Sequence, residues 1–135
     1  MDRYRLYLED LKSAWKRLQE AVNKTQKNRD SEDYPYFRDS AIQRFEFTFE
    51  ILWKTIKVYL EREGLYPKSP RSSFREFFSL GYLTEQDMAL LFRMIEDRNA
   101  TAHTYRERVA EEIFSRLNQY LEITEKIIHI LEEIP

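Results

Sequence analysis

No cysteine occurs among the 135 residues, which excludes disulfides, a thiolate zinc site and a thiol nucleophile. Glycine occurs twice and proline four times. So few turn-formers exclude most all-β folds, which need a turn about every 8–12 residues. Gly64 and Gly81 stand alone, which excludes a P-loop and a dinucleotide-binding glycine loop. With two histidines, a metal site would have to lean on carboxylates; none is expected, nor is a cofactor. No apolar run approaches the ~18 residues of a membrane span, and Met1-Asp2-Arg3-Tyr4-Arg5 has no signal-peptide core. The expectation is one soluble, cytoplasmic domain over residues 1–135 with no membrane partner.

Nine Phe, nine Tyr and two Trp, within a chain that is 42% hydrophobic, supply enough surface for a real core and argue against disorder. The net charge of −2 gives little global attraction to nucleic acid. The charge is blocked, however. Residues 1–30 balance at +3, residues 93–110 at +1 and residues 111–135 at −4. Solvated helix faces account for such blocks, so an anion-binding surface would have to be local.

Apolar residues recur at helical spacing through most of the chain. Tyr4, Leu8, Leu11, Trp15, Leu18 and Val22 predict a first helix over about 3–25. Phe37, Ala41, Phe45, Phe49, Leu52, Ile56 and Leu60 predict a second, opened near Pro35 and closed by Gly64. Ile42, Trp53 and Tyr59 widen its apolar face, which predicts more than one neighbour and a surplus face for a second copy of the chain. After a connector at Pro67 and Pro70, Phe74, Phe77 and Phe78 mark a short helix closed by Gly81. Thr84 with Asp87, and Thr104 with Glu107, have the capping-box spacing that opens a helix. The fourth helix is expected to fray near Arg98-Asn99. The last carries Val109, Ile113, Leu117, Tyr120, Thr124, Ile127 and Leu131. Four long helices and one short one, with no repeat, predict an all-α, antiparallel up-and-down bundle.

Chemistry concentrates at Arg98-Asn99-Ala100-Thr101-Ala102-His103-Thr104-Tyr105, which joins two helices without Gly or Pro. A guanidinium holds a phosphate bidentately, an imidazole exchanges a proton near neutral pH, and a helix N-terminus aims N–H groups at an anion. Together these suffice to cleave RNA without metal: a base takes the 2′-OH proton, the oxygen attacks the adjacent phosphorus, and a cation balances the charge. The spacing is equally met if His103 caps a helix or meets a carboxylate and Arg98 pairs with a Glu.

The R-x-x-x-x-H-x-Y pattern of Arg98, His103 and Tyr105 resembles that of HEPN-domain toxins of the HepT type. The segment from Arg44 to Lys54 and the connector Ser69-Pro70-Arg71 are similar to the related nucleotidyltransferase substrate-binding proteins, over about Leu11 to Tyr120. The resemblance implies a homodimeric helical bundle partnered by an MNT-type nucleotidyltransferase antitoxin, as in HepT–MntA pairs. It implies a metal-independent endoribonuclease acting on RNA, with Arg98 and His103 catalytic and Tyr105 silenced by AMPylation. The alternative is a non-catalytic substrate-binding subunit of a two-chain nucleotidyltransferase, and a helical interaction module is a third.

Elsewhere, Arg71 and Arg75 lie one turn apart and, with Arg106 beside the motif, are candidate RNA or nucleotide contacts. Exposed solvated arginines give the same pattern. Glu46 and Glu50 interrupt an apolar helix; Glu50 suits an i,i+4 pair with Lys54, whereas Glu46 could reach the cleft or a dimer partner. Glu125, His129, Glu132 and Glu133 share a face of the last helix, without the matching ligands on other helices that a bridged metal site needs.

Overall fold

The computed structural model describes residues 2–135. Five α-helices follow one another: α1 (Arg3–Lys27), α2 (Tyr34–Arg62), α3 (Pro70–Ser79), α4 (Glu85–Ala100) and α5 (Glu107–Glu133), with a 3-10 turn at Thr101–His103 between α4 and α5. No strand occurs among the described residues, and no helix there is long and apolar enough to cross a membrane.

Local chemistry sets most helix starts. The Asp2 carboxylate accepts from the Arg5 N–H at 2.8 Å. Thr84 and Asp87 exchange side-chain bonds at 3.0 and 2.9 Å, and Ser69 and Ser72 do the same at the start of α3. Gly64, at φ +85°, turns the chain after α2 where a residue with a Cβ would be strained.

The long helices run antiparallel in sequence order. Tyr4 meets the Leu131 carbonyl at 2.7 Å and Trp15 Nε1 donates to that of Leu121 at 2.8 Å, which sets α1 against α5 in opposite senses. Asp87–Lys126 and Asp97–Arg116 do the same for α4 and α5. The short α3 bridges α2 and α4, with Phe74 edge-on to Phe49.

The breadth of the apolar face on α2 has an internal cause. This helix touches all four others. Ala41, Thr48 and Thr55, small and buried, recur every seven residues, alternating with buried Phe45, Leu52 and Tyr59. Thr48 and Thr55 direct their hydroxyls back to carbonyls one turn earlier, at 2.8 and 2.6 Å, and so enter the core without orphaned donors. Most of the face predicted to await a second copy is therefore covered within the chain, and Phe47 and Tyr36 are what α2 leaves exposed.

Two expectations fail at the α4–α5 joint. First, α4 does not fray at Arg98-Asn99; it runs to Ala100 and tightens into the 3-10 turn, stitched by Thr101, whose hydroxyl donates to the Arg98 carbonyl at 2.7 Å. Second, Thr104 and Glu107 form no capping box. The Thr104 hydroxyl donates back to the Thr101 carbonyl at 3.1 Å, and α5 starts at Glu107 behind Arg106, which makes no side-chain cap bond. Glu107 is taken instead by Arg38, wholly buried near the start of α2, which donates to its two oxygens at 2.6 and 3.0 Å. A bidentate guanidinium outcompetes one backbone N–H for a carboxylate. Arg38 also pairs with Glu111 and Asp39, and Tyr34 donates to Glu111 at 2.5 Å. The Arg38 contacts hold the Glu107 carboxyl below its ordinary range. This stabilisation is complete above that range and is lost as pH falls through the lowered value.

Candidate functional site

Arg98 lies in the last turn of α4 and His103 closes the 3-10 turn, so the two stand on one nearly continuous stretch of helix. Tyr105 comes two residues before α5, not in its first turn, because that helix starts at Glu107. The His103 and Tyr105 rings meet edge to face, with centroids 6.0 Å apart. Both side chains are exposed, Tyr105 at 73%. The Arg106 guanidinium sits 5.7 Å from the centre of the Tyr105 ring.

Arg98 turns toward α2. Its Nη1 lies 3.5 Å from Glu46 Oε2 and its Nε 3.8 Å from Glu50 Oε1. Nη1 donates to Thr101 Oγ1 at 3.2 Å, while Nε is buried with no hydrogen-bond partner. The guanidinium is thus balanced in charge and only partly used as a donor. Both sequence readings of Glu46 and Glu50 hold in part, since Glu50 also lies 3.6 Å from Lys54.

Next to Arg98, Asp97 turns inward. It is buried and accepts from Arg116 Nε at 2.7 Å, Arg116 Nη2 at 2.8 Å and the Tyr120 hydroxyl. Burial, and then the bond to Asp97, push the Tyr120 hydroxyl well above its ordinary range. The bond to Asp97 raises Arg116 likewise. This network locks the end of α4 to α5 where the motif begins. Asp97→Ala leaves the Arg116 and Tyr120 donors without their acceptor and should cost about 3 kcal/mol of stability. The urea midpoint is expected to fall with an unchanged slope; an unchanged midpoint would show the network to be inert.

Asp97, Arg116 and Arg38 were not singled out by sequence reasoning. The four-residue step from Arg116 to Tyr120 puts both on one face of α5, the one signal available. For Arg38, nothing local marks a buried cation.

The remaining candidates make other contacts. Arg71 and Arg75 both face the Phe92 ring, at 4.6 and 5.7 Å from its centre. Glu125, His129 and Glu132 line a groove with Trp15 between α1 and α5. Glu132 is paired there with Lys12 at 2.7 Å, and no group of three potential metal ligands occurs among the described residues.

Residues 6–133 match the family model described as nucleotidyltransferase substrate binding protein like. A crystal structure of a protein from Thermus thermophilus is similar at 39% identity and a TM-score of 0.71, over 84% of this chain and 98% of that one. HI0074 from Haemophilus influenzae, described as having the fold of a substrate-binding domain of a nucleotidyltransferase, is similar at 22% identity and a TM-score of 0.83, over 93% and 99%. A chain from a toxin–antitoxin structure with AMP-PNP is similar at 18% identity and a TM-score of 0.67, over 97% and 99%. At these last two identities the likeness is one of fold. No curated protein matches the sequence.

Proposed function

The chain belongs to the nucleotidyltransferase substrate-binding protein-like family, and from that premise we propose that it is the toxin of a HepT–MntA-type pair, a metal-independent endoribonuclease silenced by a nucleotidyltransferase that AMPylates Tyr105. One observation carries the reading: Arg98, with unfilled N–H donors, shares a helical stretch with an exposed His103 and Tyr105. The similarity to a chain of a toxin–antitoxin structure supports it. His103 takes the proton from the RNA 2′-OH, and the freed oxygen attacks the neighbouring phosphorus. The bond from phosphorus to the 5′-oxygen breaks, that oxygen takes a proton from water, and His103 returns its proton to solvent. Arg98 balances the charge that builds on the phosphoryl oxygens. Arg71, Arg75 and Arg106 hold flanking phosphates.

The working unit in this reading is a cytoplasmic homodimer of single 1–135 domains, its two motif segments facing one cleft. The open surface around His103 and Tyr105, and the exposed Phe47, support it.

The test is light scattering on a size-exclusion column at micromolar concentration, followed by an RNA assay on the eluted peak. The expected peak has twice the 16.6 kDa chain mass. It should cleave single-stranded RNA in EDTA, leave a 2′,3′-cyclic phosphate or its hydrolysis product, and spare a 2′-deoxy substrate. Loss of cleavage in EDTA overturns the mechanism, and a monomeric peak overturns the shared cleft. An intact dimer that binds the nucleotidyltransferase but never cleaves RNA favours the second reading, a substrate-binding subunit, which the family description supports.

A further inference from the structure

We propose that Glu46 and Glu50 are positioning residues for Arg98: they hold its guanidinium in place by charge while leaving its donors open, and an RNA phosphodiester takes their place. The inference rests on the reading of Arg98 as the phosphate-binding cation.

The first argument is electrostatic. Glu46 and Glu50 stand one turn apart on α2, an arrangement of like charges that destabilises a helix unless a cation lies against it. Lys54 reaches only Glu50, and Arg98, arriving from α4, lies against both carboxylates. Glu50 is itself braced: Trp53 Nε1 donates to its Oε2 at 3.4 Å, and Lys54 lies 3.6 Å from the same oxygen. Oε1 is left to face Arg98.

The second argument is the unmet hydrogen bonding. A structural ion pair of Arg with carboxylate is commonly bidentate, as Arg38 is with Glu107 and Arg116 with Asp97. Arg98 departs from that pattern within the same chain. At 3.5 and 3.8 Å it makes no hydrogen bond to either glutamate, Thr101 takes one N–H, and the buried Nε has no acceptor. A cation flanked by two carboxylates, with one N–H given to Thr101 and no hydrogen bond to either glutamate, is arranged for an acceptor that arrives from outside. About one-third of the Arg98 side chain is exposed, and since Nε is buried, an acceptor from outside meets the Nη groups.

The two roles have opposite effects on the kinetic constants. As anions, Glu46 and Glu50 compete with phosphate, so removing their charge strengthens binding. As struts, they aim the guanidinium, so removing them weakens the transition state more than the ground state. Glu46→Gln/Glu50→Gln, assayed on the full chain with single-stranded RNA, should lower KM about two- to fivefold and lower kcat about tenfold or more. Glu46→Asp, which keeps the charge, should restore the wild-type KM. A general loss of surface charge would lower KM alone, and a damaged fold would lower kcat without lowering KM; either result overturns the proposal. The dissociation constant for a 2′-deoxy analogue of the same RNA is measured alongside. If the wild type does not cleave RNA, the ribonuclease reading falls. The analogue then decides this proposal separately: tighter binding by the double variant upholds it, and unchanged or weaker binding overturns it.

Discussion

Arg98→Ala and His103→Ala should each reduce RNA cleavage by about 10²–10⁴-fold, the range for losing one general base or one charge-stabilising donor. Neither should unfold the chain. His103 is exposed and its ring contact is to Tyr105 alone among the aromatic pairs, so truncation removes little packing. Arg98→Ala leaves Glu46 and Glu50 without their shared cation, but both carboxylates are partly exposed and water can solvate them. The helical circular dichroism signal and the urea midpoint should stay near wild type while cleavage disappears. Arg98→Lys is the sharper control, since it keeps the charge but not the fork that a phosphodiester accepts bidentately; it should recover only a small part of the rate. Near-normal cleavage by either alanine variant would remove that residue from the mechanism.

Tyr105→Phe should escape silencing entirely. The hydroxyl makes no hydrogen bond within the chain that holds the ring in place, and the side chain is largely in solvent. Its removal is a surface change worth no more than about 0.5 kcal/mol. On the wild-type chain, an AMP group on that hydroxyl would carry a negative phosphodiester beside the Arg106 guanidinium, already packed on the ring. That phosphate would lie where His103 must meet RNA, so modification blocks the substrate by occupancy and like charge. Purified wild-type and Tyr105→Phe chains are incubated with the nucleotidyltransferase and ATP, then weighed intact. The wild type should gain mass in multiples of AMP and lose cleavage, while Tyr105→Phe gains nothing and keeps cleaving. Equal gains on both chains would place the modification elsewhere.

How far the sequence could be read depended on the range of the interactions. The helices, and the box at Thr84 and Asp87, rest on residues within one turn of each other, and their spacing showed them. The same spacing misled at Thr104 and Glu107, because Arg38, 69 residues from Glu107 in the chain, binds that carboxylate better than the local backbone does. The motif residues were legible by type and order. The direction in which Arg98 points was not, since it depends on where α4 crosses α2. Glu46 and Glu50 did leave a trace, as two charges in an otherwise apolar run, and that trace led to Arg98. The apolar breadth of α2 was legible too, and most of it lies at the centre of this bundle, with Phe47 and Tyr36 left exposed.

The clamp at Arg38 also bears on when the chain can act. A protein emerges from the ribosome N-terminus first, so α2 is out well before α5. Until Glu107 and Glu111 arrive, Asp39 is the one carboxylate paired with Arg38, and the segment carrying His103 is tethered at one end only. The same delay applies to Asp97, whose partners Arg116 and Tyr120 lie on α5. A half-made chain therefore carries Arg98 and His103 in its sequence without the frame that fixes them. On the proposed ribonuclease reading, this ordering spares the message and the ribosome still making it.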